Sequence, residues 1–424
     1  MPLLIDIAGW LLLACSAAVL AYWAVVGWHV LRTVRLVPTC RDGLRLEEAE
    51  RLRAGGPRVC VVVPAHNEAG CIGTLTRSLL RQDYPDLRVV FALDRCTDGT
   101  LDEIAKVAAA EGGGALAFVR DGRTPIDARV QIVTVESCPE GVAGKVNAMV
   151  RGVEDAPAAR DADVLLFVDA DTELHPSCVR AALALLRERG LGMLSLLSTL
   201  TTDRWFERVV QPAAGMELLR QYPLVRAGAR THRRPFANGQ FMMFTRGAYE
   251  AVGGHTRVGH ALLEDVELAR EVGREGIPAG LFLADAMLHC RMYDRWDAFV
   301  AGWKRIYGES ANRRVSRLRG IAWRLRAVGT AGPMLAAAGL AVGVLGRGAG
   351  IEGPWLAAVS GAAVAMNLGV LAACYRLSRA PLVDVLAYPA GAWLVARILD
   401  AAAEDLENRV PTRWAGREYV REPR

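Results

Sequence analysis

The chain has no CxxC pair among its nine cysteines, which stand singly at Cys15, Cys40, Cys60, Cys71, Cys96, Cys138, Cys178, Cys290 and Cys374. That spacing indicates neither a zinc site nor a disulfide framework, and it points to a reducing cytoplasm for the water-exposed part. Basic runs interleaved with aromatics are missing too, which excludes nucleic acid as a partner. The net charge of +5 is modest, comes mostly from arginine, and suits contact with anionic lipid heads. No positive stretch precedes the first apolar run and no small-residue cleavage site follows it, so a cleaved signal peptide is disfavoured. There is no internal repeat, and no low-complexity tract beyond alanine enrichment.

What is present is segregated. Hydrophobic residues make up 52% of a chain that is also 23% charged, which implies membrane spans joined to a water-soluble part. Residues 8–31, with Trp10, Trp23 and Trp28, are long enough to cross about 30 Å of hydrocarbon as a helix. Arg32, Arg35, Arg41 and Arg45 follow and place the next segment in the cytoplasm. Three Ala/Leu/Val-rich runs, 328–346, 355–376 and 382–400, come late, with Arg347, Arg376 and Arg379 in the links. The third run holds Asp384 and Pro389, so it spans, re-enters or lies in the interface. Full crossing by all three would put the basic tail, with Arg409, Arg413, Arg417, Arg421 and Arg424, outside, against the positive-inside rule. Two basic, aromatic-flanked stretches, 203–234 (with Arg230, Arg233 and Arg234) and 313–326, suit the headgroup plane or an ordinary basic surface helix.

Between these runs, strands and helices alternate. Residues 59–63, 87–93, Val130–Val135 and Val164–Val168 are continuous apolar runs, with helical stretches at 71–81 and 101–110 between them. This predicts an α/β domain with a mostly parallel sheet and ligands at the carboxyl ends of its strands. The acidic residues sit at those ends. Asp169 and Asp171 close one run in FVDADTEL, where two carboxylates one residue apart can hold a hard divalent cation and the diphosphate it bridges. Asp94 closes another before DRCTDGT, with Thr100 as a helix cap and an ordinary turn as the equal alternative. The PAHNEAG segment offers Pro64 and Asn67 for a turn, and Glu68 at a helix start. Lys145 falls in the first turn of a helix opening at Gly144, an unfavourable place for a cation unless a phosphate sits there. Glu264 and Asp265 follow Leu262 and Leu263 and begin the helical run 266–272, where a general base or simple N-terminal acidity both fit. Asn238, Gly239 and Gln240 precede a strand-like run at 241–244. Gly302, Trp303, Lys304 and Arg305 put an aromatic beside two cations.

Taken in order, PAHNEAG, ALDRCTDGT, GKVNAM, FVDADTE, NGQFMMF, YEAVGGH and LLEDVEL resemble family 2 glycosyltransferases of the GT-A fold. The Arg291–Tyr293 RMY, the following GWK and the tail Trp414-Ala415-Gly416-Arg417-Glu418-Tyr419 resemble the membrane-bound, lipid-modifying members: hopanoid-associated, carotenoid-acid and ceramide-type enzymes. The resemblance implies a layout of an N-terminal transmembrane helix (1–34), a Rossmann-like GT-A domain on the cytoplasmic side (50–312), an interfacial helix with C-terminal transmembrane region (313–403), and a basic tail (404–424). It implies a multi-pass protein of the cell membrane that uses a UDP-sugar, a lipid acceptor and Mg2+ or Mn2+. Pro64, His66 and Glu68 would line the nucleoside pocket, Asp94 would bind the pyrimidine, and Asp169 and Asp171 would hold metal and diphosphate with Lys145 nearby. Asn238 and Gln240 would contact sugar or acceptor, together with Trp303, Lys304 and Arg305. Asp265 would be the catalytic base beside Glu264. His66 stands where many relatives carry Tyr or Arg. The QxxRW motif of processive synthases is absent, which disfavours the alternative of a polysaccharide synthase. The retained acidic set disfavours a non-catalytic membrane scaffold.

Overall fold

The computed structural model describes residues 2–114, 116–119, 125–227, 236–261, 263–345, 352–414, 417–419 and 423. Arg230, Arg233, Arg234, Leu262, Arg347, Ala415, Gly416, Arg421 and Arg424 lie outside the described residues. The chain forms two compact units, one from residues 37–201 and 222–292, the other from 1–36, 202–221 and 293–424. The boundary expected at 50–312 is therefore drawn differently, because 202–221 and 293–312 form helices whose apolar faces are buried with the hydrophobic helices.

The first unit contains β1 (Val59–Ala65), β2 (Leu87–Asp94), β3 (Ala117–Phe118), β4 (Val130–Val135), β5 (Val164–Val168), β6 (Thr172–Leu174), β7 (Met193–Leu197), β8 (Thr199–Leu200), β9 (Phe241–Thr245), β10 (Ala279–Leu283) and β11 (Leu288–Cys290). Eight of these make one sheet in the order β10-β7-β9-β5-β1-β2-β4-β3, and β6-β11-β8 form a second. All seven residues of β1 are buried, as the unbroken apolar run requires of a strand covered on both faces. It pairs in parallel with β2 on one side, Val61 opposite Val89, and with β5 on the other, Val61 opposite Leu166. Strand order reverses there, so the carboxyl ends of β1 and β5 flank a crevice of the kind that binds ligands in open α/β sheets.

β9 is the exception that completes the edge. It runs antiparallel to both neighbours, so its first residue, Phe241, pairs with the last residue of β5, Val168. The segment 238–240 is thereby delivered to the same edge as Asp169. In the second sheet Cys290 pairs with Thr172, and the Arg291 amide donates to the Asp171 carbonyl at 3.1 Å, tying down the loop after β5.

The second unit is helical apart from a two-stranded antiparallel sheet, Thr412–Trp414 with Arg417–Tyr419. The N-terminal helix, expected over 8–31, runs Pro2–Leu36. Helices Gly332–Leu345 and Glu352–Leu377 take up the first two late apolar runs, and Tyr388–Glu407 most of the third. Among the described residues, four helices are long and apolar enough to cross a membrane: Ile7–Leu36, Val315–Leu345, Gly353–Leu377 and Leu382–Glu407. Small residues let them approach closely: Ser16 and Ser360 hydroxyls lie 2.8 Å apart, and a Cβ on Gly339 would fall 2.6 Å from Ser360 Oγ.

Candidate active site

The strand-end acids converge. Lys145, in the first turn of helix Gly144–Asp155, places Nζ 2.8 Å from Asp169 Oδ1 and 2.6 Å from Glu264 Oε1. The expectation that a cation at this helix start needs a phosphate is met differently, since two carboxylates from other elements compensate it. Burial disfavours the charged ammonium, but the Asp169 charge and then that of Glu264 outweigh it, so the Lys145 pKa is raised. The same contact works in reverse at Glu264: burial pushes its carboxyl up, and Lys145 pulls it below the usual range.

Asp265 is held apart from that pair. Its Oδ2 accepts the Gly239 amide at 2.8 Å and its Oδ1 accepts the Val266 amide at 2.8 Å. Glycine at 239 is what allows the approach, because a Cβ there would lie 3.2 Å from Lys145 Nζ and 3.3 Å from Asp265 Oδ2. Burial, followed by the neighbouring Glu264 charge, raises the Asp265 carboxyl to about 6. A carboxylate with that proton affinity is ionised at neutral pH yet basic enough to accept a proton.

Asp171 is raised to about 7, first by burial and then by the charges of Asp169 and Glu68. Its Oδ1 is buried with no hydrogen-bond partner. A buried, unpartnered carboxylate oxygen beside a second carboxylate fits a hard divalent cation, which would satisfy it and lower its proton affinity. Among the described residues no group of three or more His, Cys, Asp or Glu side chains is arranged to hold a metal. Asp169 and Asp171 would thus supply part of a coordination shell, leaving places for diphosphate oxygens and water.

The β1 and β2 ends carry the adjoining residues. His66 Nδ1 donates to the Asp94 carbonyl at 2.6 Å, and Asn67, at φ 59°, accepts the Thr97 amide at 2.8 Å. Pro64 is buried within β1. Glu68, whose carboxyl is raised chiefly by burial, donates its amide to the Thr100 hydroxyl oxygen at 2.8 Å. Thr100 is the first helical residue rather than the cap, and Asp98 Oδ1 accepts its amide at 3.0 Å. The Asp94 side chain is 4% exposed and is gripped by Arg95. Sequence reasoning passed over that arginine, because only the backbone at φ 47° folds it back onto its neighbour. Gly144 was equally silent: a Cβ there would lie 2.9 Å from Asp94 Oδ2.

Asn238 and Gln240 join the same edge. Asn238 Nδ2 donates to the Leu196 carbonyl at 2.9 Å and to Gln240 Oε1 at 3.0 Å, and Ser198 bonds Gln240 as well. Trp303, Lys304 and Arg305 belong to the other unit, on helix Trp296–Ser310. There the Trp303 ring is 3% exposed and packs near Phe299 and Tyr307, with centroids 6.1 and 5.2 Å away, and Lys304 pairs with Asp405. A ring closed off in this way offers no open face.

The model of the glycosyltransferase-like family 2 matches residues 57–298, more than half of the chain. Among curated proteins, the 4,4'-diaponeurosporenoate glycosyltransferase of Staphylococcus aureus (strain USA300) is 25% identical over 264 residues, covering 60% of this chain and 62% of that protein. The chain thus spans under two thirds of the length of the curated relatives it matches. Among solved structures, a mannosyltransferase from Pyrobaculum calidifontis in complex with GDP-Man and Mn2+ superposes with a TM-score of 0.47 at 18% identity, covering 94% of this chain and 98% of that one. The Mycobacterium tuberculosis glucosyl-3-phosphoglycerate synthase with Mn2+, UDP and glucosyl-3-phosphoglycerate gives 0.37 at 18% identity, covering 60% and 79%.

Proposed function

We propose that this chain, which belongs to glycosyltransferase-like family 2, transfers a single sugar with inversion from a UDP-sugar to a lipid acceptor at the cytoplasmic face of the cell membrane. The observation that carries this reading is the convergence of Asp169, Asp171, Lys145, Glu264 and Asp265 at the carboxyl edge of one sheet. A hydroxyl acceptor gives its proton to Asp265, whereas a carboxylate acceptor arrives already ionised; in either case the acceptor oxygen attacks the anomeric carbon from the face opposite the diphosphate. The bond between that carbon and the diphosphate oxygen breaks, and the electron pair leaves with UDP. The Gly239 and Val266 amides keep Asp265 aimed, so no reorganisation is needed as the proton moves. Mg2+ or Mn2+ on Asp169 and Asp171 would supply positive charge to the departing diphosphate. Lys145 adds a cation at the same place. Glu264 holds Lys145 in register and raises the basicity of Asp265.

Asp94, Glu68, His66 and Pro64 form the nucleoside side of the reading, and Asn238 and Gln240 the sugar or acceptor side. Trp303, Lys304 and Arg305 are left out of it, given the burial of Trp303 and the pairing of Lys304. The candidate spans and the name of the curated relative, a 4,4'-diaponeurosporenoate glycosyltransferase, support a lipid-like acceptor. The test is mass spectrometry of lipids from cells with and without the gene, followed by reconstitution with UDP-sugars. One glycolipid should vanish with the gene. Its anomeric configuration, read by NMR, should be opposite to that of the donor. Retention of configuration would overturn the assignment of Asp265 as a simple base.

A further inference from the structure

The last apolar helix has a register that bears on how the chain meets the bilayer. Tyr388–Glu407 runs antiparallel to residues 319–330. Thr330 donates its hydroxyl to the Pro389 carbonyl at 2.9 Å, and a Cβ on Gly329 would meet that of Ala392 at 2.9 Å. Further along, Arg326 pairs with Asp400, and Arg319 with Glu407 at 2.6 Å. The start of Tyr388–Glu407 meets Gly329 and Thr330, at the start of the apolar half of the long helix Val315–Leu345, and the rest lies along the charged half, which carries Arg317, Arg319, Arg324 and Arg326. The apolar half, 327–345, is about 28 Å long at 1.5 Å per residue, enough to cross the hydrocarbon. Both halves cannot be embedded, because each arginine at mid-bilayer costs about 2.5–3.5 kcal/mol on insertion scales.

We propose that Tyr388–Glu407 does not cross the bilayer and instead lies on the catalytic side, with the preceding turn Leu382–Ala387 seated in the lipid headgroup layer. The turn presents Val383 at 69% and Leu386 at 75% exposure, only a few residues beyond the end of the Glu352–Leu377 span. Arg208 grips Asp384 in the turn with two hydrogen bonds of 2.8 Å, which joins to it the short helix carrying Trp205, itself 54% exposed. Apolar side chains and tryptophan flanked by arginine suit the interface between water and acyl chains. The chain then crosses three times, by Pro2–Leu36, by residues 327–345 and by Glu352–Leu377. The basic tail falls on the same side as the carboxylate site, and the conflict with the positive-inside rule disappears.

This inference rests on the membrane-embedded reading, but not on the chemistry. The full chain, tagged at both termini, is placed in sealed inside-out membrane vesicles and treated with protease. Digestion of the C-terminal tag together with the catalytic unit, with the N-terminal tag protected, is expected. A protected C-terminal tag on a chain whose catalytic unit is digested overturns the proposal. Protection of both with loss of the N-terminal tag supports it while moving the enzyme to the other face, and release of the chain by carbonate would sink the membrane reading itself. A diazirine-bearing residue at position 386, in vesicles of phosphatidylethanolamine and phosphatidylglycerol, should form lipid adducts. Adduct yield no higher than at the exposed position 173 would refute the headgroup seat.

Discussion

Both carboxylate oxygens of Asp94 accept hydrogen bonds from its own neighbour, Arg95: Nε to Oδ1 at 2.8 Å and Nη2 to Oδ2 at 2.7 Å. A base that donates its N–H to Asp94 competes with this grip. Arg95→Ala is therefore expected to tighten UDP binding in calorimetry by up to about fivefold, since a partly exposed ion pair is worth about 1 kcal/mol or less. Asp94→Asn should weaken UDP binding. Weaker binding in Arg95→Ala would make Arg95 a ligand of the nucleotide rather than its competitor.

Lys145 separates two carboxylates that would otherwise face each other. Lys145→Met leaves Glu264 and Asp169 uncompensated, and breaking such a largely buried pair should cost about 3 kcal/mol in urea unfolding. Because Lys145 lowers the proton affinity of Asp265, the acid limb of the activity profile should move to higher pH in this variant. An unchanged limb would place the base elsewhere.

The raised carboxyl of Asp265 predicts opposite effects on activity and stability. Turnover should rise with pH through about 6 and level off above it. Stability should move the other way. A carboxyl that binds its proton more tightly in the folded chain contributes stability below its unfolded value, and that contribution is lost as pH rises through the folded value. Asp265→Asn should thus raise the Tm at pH 7, lose that advantage below about pH 4, and reduce turnover by about 10²–10⁴-fold. Loss of donor binding with turnover intact at saturation would make Asp265 a donor ligand.

The unpartnered Asp171 Oδ1 predicts a response to metal that needs no substrate. Mn2+ should raise the Tm of the wild-type chain in proportion to binding, and Asp171→Ala should abolish the shift along with transfer. Full transfer in excess chelator would refute metal dependence.

Trp303 fills the helical core, so Trp303→Ala should cost about 3–5 kcal/mol through the cavity it leaves. Transfer to lipid and hydrolysis of the UDP-sugar should fall together. Selective loss of lipid transfer at unchanged stability would restore the acceptor role that the GWKR segment suggested.

Period and hydrophobicity make the frame legible in the sequence. Unbroken apolar runs such as 59–63 and 164–168 read as strands buried on both faces, which puts the acids that end them at the carboxyl edge of a sheet. The long apolar helices were equally legible, since length against bilayer thickness is a local property. Side-chain pairing was not legible, because it depends on residues far apart in sequence. The cation at Lys145 was legible because helix-end electrostatics is local, but its carboxylate partners were not, since Asp169 and Glu264 reach it from other elements. Trp303 looked like an open aromatic face because the sequence does not say which side of a helix is covered. The sequence by itself determined which residues are acidic strand ends and which segments are apolar enough to leave water. Only the tertiary structure decided that β9 runs antiparallel and brings Gly239 onto Asp265, and that Tyr388–Glu407 runs back along residues 319–330, pairing with Arg319 and Arg326. Both depend on strand order and helix register, which follow from how whole surfaces fit together rather than from any local pattern.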